Sequence, residues 1–345
     1  MNDMIWTPAK RAITALTLGQ PDEIPTFELE FQISEEFFGY PLADARLGKD
    51  EWHKLSPAEL ERAAYALADK YARVYGNKSA KEMGPEYCSG NEEKDNRPGL
   101  DYCIIPVYAP FWNDVNSPVT KVFRKRLREH FGDTRLFGCH GDGTFAIPDG
   151  NKMYDFAYRL VDEPEEVHAE AERMAEGAIE RNKRQREAGI DVLLLCSDYC
   201  YNSGPFLSPA MFDEFITPYL TKICKAGRED GAYVIKHTDG NIMPILSSLV
   251  EAGPHALHSL DPMAGVDIRE VKRLYGDKVA LCGNVHCAAL QTGTDEEVIA
   301  STEYCLKYGA EGGGYIFATS NCPFKGMPPH RYEMILDIWK KNRKY

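Results

Sequence analysis

Histidine, carboxylate and thiol side chains recur in the last third of the chain at points where an extended run gives way to a turn. Residues 236–241 read Lys-His-Thr-Asp-Gly-Asn, so His237 and Asp239 stand two apart and share one face of a strand. Residues 280–287 read Ala-Leu-Cys-Gly-Asn-Val-His-Cys, which aligns Cys282, Asn284 and His286. Further on, a Gly312-Gly313-Gly314 turn leads through a short apolar run to Ser320-Asn321-Cys322-Pro323. One imidazole, one carboxylate and one or two thiolates make a donor set suited to Zn2+ with an exchangeable position. The metal candidates are His237, Cys322 and, as alternative or joint further ligands, Asp239 and Cys282. No Cys-x-x-Cys pair concentrates these donors, so only the fold can gather them.

Other polar clusters occupy comparable places. Phe27-Glu28-Leu29-Glu30-Phe31 alternates, which predicts Glu28 and Glu30 on one face and the apolar residues on the other. Residues 196–205 (Cys-Ser-Asp-Tyr-Cys-Tyr-Asn-Ser-Gly-Pro) form a loop with turn chemistry at its end, and Cys139-His140-Gly-Asp142 ends another apolar run. Asp198, Asp239 and Glu28 are the candidate catalytic carboxylates. Phe27, Glu30, Phe31, His140, Tyr199, Tyr201, Asn202 and His286 are the candidate substrate contacts.

These positions must be brought together by the elements between them. Eight β-rich runs (24–31, 102–109, 135–139, 191–197, 232–237, 256–260, 278–285 and 315–320) alternate with stretches of helical period (57–75, 117–131, 163–188, 208–226, 241–251, 267–275, 294–308 and 328–341). Strand and helix in repeated alternation predict an α/β fold, a single (β/α)8 TIM barrel over residues 1–345 with an N-terminal helical insertion or lid. Residues 77–101 are long for a connection and read as a lid loop. In such a barrel, chemistry sits at the C-terminal strand ends.

The formal charge of -13, from 40 Lys+Arg against 53 Asp+Glu, argues against nucleic acid or an anionic membrane as partner. No run approaches the roughly 18 apolar residues of a membrane span, and the start lacks a basic and apolar leader, so the expected location is the cytoplasm. In that compartment the 10 cysteines are thiols, with Cys88, Cys103, Cys196, Cys224 and Cys305 read as small buried groups.

Five segments carry a family resemblance: residues 11–25 (with Arg-Ala-Ile-Thr-Ala-Leu-Thr-Leu-Gly, then Pro-Asp-Glu-Ile-Pro), 208–215 (Ser-Pro-Ala-Met-Phe-Asp-Glu-Phe), 237–241, 282–285 and 312–316. Together they resemble the uroporphyrinogen decarboxylase-type superfamily, which includes corrinoid-dependent methyltransferases, over essentially the whole chain. The resemblance implies zinc held by a His-x-Cys pair and a later Cys. His237 and Cys322 match those positions, and Asp239 replaces the first Cys. A carboxylate donates less to zinc than a thiolate does and leaves it a better Lewis acid for oxygen. Decarboxylases of the family need arginines near the first strand for a polycarboxylate substrate, whereas residues 27–32 here are Phe-Glu-Leu-Glu-Phe-Gln. The expected function is therefore that of an O-demethylase component, a zinc-dependent methyltransferase moving a methyl group from a methoxylated aromatic substrate to Co(I) of a separate corrinoid (cobalamin) protein. The alternatives are a thiol methyltransferase of the coenzyme M type, a uroporphyrinogen decarboxylase-like enzyme and a non-catalytic barrel. A homodimer is compatible with each.

Overall fold

The computed structural model describes residues 5–39, 42, 54–107 and 117–345. Among these, seven short parallel strands form one curled sheet in chain order: β1 (Ile104–Pro106), β2 (Leu136–His140), β3 (Val192–Leu195), β4 (Tyr233–Thr238), β5 (Ala256–Ser259), β6 (Ala280–Cys282) and β7 (Tyr315–Ile316). All four residues of β3, Val-Leu-Leu-Leu, are buried, as expected of a strand covered on both faces. The helices include α1 (Pro8–Leu16), α2 (Pro57–Tyr75), α3 (Pro118–Phe131), α4 (Pro164–Glu187), α5 (Thr217–Glu229), α6 (Ile268–Tyr275), α7 (Asp295–Gly309) and α8 (Pro329–Asn342). Ser56 and Glu59 close a capping box ahead of α2, and Thr294 with Glu297 does the same for α7, so both helix starts are written in the sequence. The helix expected over 208–226 is broken into Pro209–Phe215 and α5, because Pro218 has no amide hydrogen with which to continue the first. No helix of the described residues is long and apolar enough to cross a membrane.

The first expected strand is not a regular one. Residues 24–31 instead span the gap between the two sheet edges: Phe27 N–H donates to Phe317 O, Phe317 N–H to Pro25 O at 2.9 Å, and Cys103 N–H to Thr26 O at 2.9 Å. Pro25 lacks a donor and the chain bends at Leu29, which limits pairing to single bridges. This irregular stave makes the sheet TIM-barrel-like and carries the first acidic segment into the wall. α8 backs it, with Trp339 Nε1 donating to Ile24 O at 3.0 Å.

Residues 77–101, expected as a loop, contain the short helices Ala80–Met83 and Glu92–Asn96. They are tied to the end of α2 through Leu100 N–H to Val74 O and Arg73 Nη2 to Arg97 O at 2.8 Å. They also reach the helix Ser34–Phe38, where Arg97 Nη1 donates to Phe37 O at 2.6 Å.

Candidate metal centre at the strand ends

Strand register builds the site. His237 on β4 lies opposite His258 on β5, and His258 lies opposite Cys282 on β6. Parallel partners project to the same side, so these three side chains form one interior row, with the Phe27 ring 5.7 Å from His258. His237 and His258 share a short contact, Nδ1 to Nδ1, of 2.8 Å. Burial pushes His237 down to about 3, assisted by Lys236 and His140, and burial holds His258 well below the ordinary range. Both rings are therefore neutral, and one proton lies between the two Nδ1 atoms. When His237 carries it, the Nε2 lone pair of His237 faces the carboxylates, 3.8 Å from Asp239 Oδ1 and 4.0 Å from Asp198 Oδ1. That is the tautomer a metal ligand requires.

Asp239 is fixed from both sides. Ser259 Oγ donates to its Oδ1 at 2.7 Å and Asn321 Nδ2 to its Oδ2 at 2.6 Å. Ser259 and Leu260 reach this arrangement with φ of 85° and 50°, a left-handed conformation that costs energy outside glycine and is concentrated at functional sites. Burial lifts the Asp239 carboxyl to about 6 against the Ser259 hydrogen bond, and the nearby Asp198 charge adds to the lift. Asp198 in turn accepts the Asp239 N–H at 3.0 Å. Its side chain is 48% exposed and forms the open side of the group.

Asp198, His237 and Asp239 each present a ligand atom within 4.8 Å of the others. Two carboxylates held together beside a neutral imidazole fit a divalent cation, which would relieve their repulsion. Neither cysteine expected as a ligand joins this group. Cys282 does point inward, but it is two strands from His237 with His258 between, a displacement of about 10 Å at ordinary strand spacing. Cys322 is buried one residue past Asn321, and burial pushes its thiol far up, with Glu30 next in effect.

The remaining candidates separate. Glu28 is turned into the wall behind the sheet. It accepts from Thr319 N–H at 3.0 Å and Thr319 Oγ1 at 2.5 Å, with Tyr332 OH at 3.3 Å. Burial raises its carboxyl to about 8 against those hydrogen bonds. Phe31 packs on Phe37, Phe38 and Tyr332, so the bend at Leu29 has undone the expected alternation, and neither residue lines the mouth. Glu30 is half-buried and accepts from Gln32 Nε2 at 2.7 Å. Tyr199 is a buried support whose OH meets Thr144 Oγ1 at 2.6 Å. Tyr201 and Asn202 are exposed at the tip of a hairpin made by Cys200–Tyr201 and Gly204–Pro205. His140 ends β2, close enough to act on His237. His286 stands at the N-cap position of the helix Cys287–Thr292 without a side-chain capping bond, and its buried Nδ1 has no partner among the described residues. Cys88, expected buried, is exposed.

Two features escaped the sequence reading. His258 lay inside an apolar strand, where its register with His237 was the only signal. Lys236, which alternation puts on the face of β4 opposite to His237, is fully buried and donates to Asp142 Oδ2 at 2.8 Å and Ser197 O at 2.9 Å, with its ammonium 4.2 Å over the Tyr199 ring. Asp142 also accepts from Ser197 N–H, Thr144 N–H and Thr144 Oγ1. Its carboxyl is held at about 2 against burial, by the Lys236 charge above all. This ion pair is compensated on every side and anchors the β2, β3 and β4 ends to one another.

A parallel, curled α/β sheet with a polar site at its strand ends defines a TIM-barrel-like fold of the enzyme-bearing kind. The family model for uroporphyrinogen decarboxylase (URO-D) matches residues 148–341, the segment that supplies Asp198, His237 and Asp239. The chain belongs to the uroporphyrinogen decarboxylase family. It is similar to the uroporphyrinogen decarboxylase of Pseudoalteromonas translucida, 27% identical over 254 residues, covering 68% of this chain and 67% of that protein. The corresponding protein of Shewanella halifaxensis is 28% identical over 223 residues, covering 59% and 58%. The chain thus spans from somewhat over half to two thirds of these relatives. A methyltransferase from Methanosarcina mazei shares the fold, with a TM-score of 0.65 over 98% of this chain and 99% of that one at 20% identity.

Proposed function

We propose that this protein is a zinc-dependent methyltransferase that takes a methyl group from an oxygen-bound donor, a methyl ether, and delivers it to Co(I) of a separate corrinoid protein. The observation that carries this reading is the oxygen-rich group Asp198, His237 and Asp239 at the strand ends. Zinc bound there supplies Lewis acidity toward an ether oxygen that must leave with its electron pair. Asp239, clamped by Ser259 and Asn321, would hold the metal as a fixed oxygen ligand. His237 keeps its Nε2 lone pair available through His258. Asp198 stands on the open side, from which the donor would enter, and Tyr201 is the exposed one of the aromatic residues expected to contact it. The half-exposed Asp198 side leaves the group open to the approach of a corrinoid partner that would accept the methyl group.

Metal content and methyl transfer test the reading together. Purified protein should hold one zinc per chain and methylate Co(I) cobalamin from a methyl ether, seen in the cobalt absorption spectrum. His237→Ala and Asp198→Asn should each lose metal and activity. Metal-free parent protein, or transfer without any corrinoid, would sink it. A second reading, decarboxylation, is favoured by the names of the sequence relatives, and by Glu28 being turned away from the mouth, where it no longer opposes an anionic substrate. Loss of CO2 from uroporphyrinogen by the same preparation would decide for it.

A further inference from the structure

On the opposite side of the barrel wall from the metal group, α3 and the end of α4 enclose a cleft of about 470 Å³ lined by Lys121, Arg124, Lys125, Arg128, Arg184 and Glu187, with Phe137 at its floor. Five cations against one carboxylate is a conspicuous reversal in a chain of net charge -13. Two of the five are accounted for. Arg128 donates to Asp191 Oδ2 at 2.6 Å and to Gly189 O at 3.0 Å, satisfying the end of α4, and Arg184 pairs with Glu180 at 3.1 Å. Lys121 and Lys125 are exposed at the rim.

Arg124 is the residue that needs explaining. It is 7% exposed, and its Nε and Nη1 are buried without a hydrogen-bond partner. Among the described residues no carboxylate acts on it, and the Cys139 thiol that does is raised by burial to about 12 and so is uncharged. A buried guanidinium left uncompensated is destabilising, and buried polar groups are ordinarily paired. The planar guanidinium matches a phosphate geometrically, and lysines at the rim supply the further charge. The volume lies within the range of small-molecule sites.

We propose that this cleft is a binding site for a small phosphate-bearing ligand, with Arg124 as the buried anchor and Lys121 and Lys125 as the rim contacts. The site is independent of the metal group and of the reaction assigned to it. Calorimetric titration of the full chain with inorganic phosphate, and separately with adenosine monophosphate, at constant ionic strength tests it. Saturable binding at one site per chain is expected, with Arg124→Met and the double variant Lys121→Ser/Lys125→Ser each weakening it by about tenfold or more. The double variant changes only exposed side chains and decides the matter should Arg124→Met fail to fold. Equal affinity for the two probes assigns the site to the phosphate group alone, and tighter binding of the nucleotide assigns it to a nucleotide-like ligand. No saturable heat with either probe, or binding that both variants leave unchanged, would overturn the proposal.

Discussion

Replacing Glu28 by Gln separates a structural carboxyl from a catalytic one. In the folded protein burial lifts this carboxyl from 4.5 to about 8, whereas the unfolded chain ionises it near the ordinary value. Between those two values the native state keeps a proton that the unfolded state releases, so unfolding becomes easier as pH rises. The contribution is fully present below about 4.5, declines through the interval, and is gone above about 8. At about 1.4 kcal/mol per pH unit, the change has a ceiling of about 5 kcal/mol. Glu28→Gln removes this slope while keeping an acceptor for Thr319 N–H and Tyr332 OH. Urea unfolding of parent and variant from pH 5 to pH 9 should therefore show the variant gaining on the parent by a few kcal/mol across the range. A stability difference that stays flat with pH would refute the assignment. A variant with normal stability behaviour but no turnover would return Glu28 to the chemistry.

His258→Phe should keep the fold and lower zinc affinity by about 10- to 100-fold, read by competition with a chelator, because His237 loses the partner that fixes its tautomer. Lys236→Met should cost about 3 to 5 kcal/mol in chemical denaturation by stranding Asp142, and Lys236→Met/Asp142→Leu should recover much of that loss. Asp239→Cys should retain zinc yet transfer methyl groups from ethers more slowly, since a thiolate weakens the Lewis acidity that the leaving oxygen needs; an unchanged rate with full zinc would remove Asp239 from control of the metal.

The curled parallel sheet and its alternating helices were legible because these elements announce themselves locally. β3 is an unbroken apolar run, α2 begins at a capping box, and the expected helix over residues 57–75 is the observed one. His237 and Asp239 were legible for the same reason, since a two-residue spacing on one strand fixes their common side. Register across strands was not legible. That is why Cys282 stood as a ligand although His258 separates it from His237, and why Asp198, contributed by a different loop, was assigned a role without its neighbours. The alternation at residues 27–31 failed because it presumed a regular strand, whereas the bend at Leu29 sends Glu28 and Phe31 toward α8.

The stave formed by residues 24–31 has a consequence for how the chain is made. Its partners are supplied almost entirely by the other end of the polypeptide: Thr26 and Glu28 bond to residues 291 positions away, and Ile24 to one 315 positions away. During synthesis this N-terminal segment emerges first, and apart from the Cys103 bond to Thr26 O its backbone and Glu28 wait for Phe317, Thr319 and Trp339 to leave the ribosome. At about 5 to 20 residues per second, that interval lasts on the order of tens of seconds. Throughout it Glu28 is hydrated and ionised at neutral pH and, with Glu30, interrupts the apolar residues of the segment. Closure of the seam then draws in both the segment and a proton, so this tertiary step of folding is also a protonation.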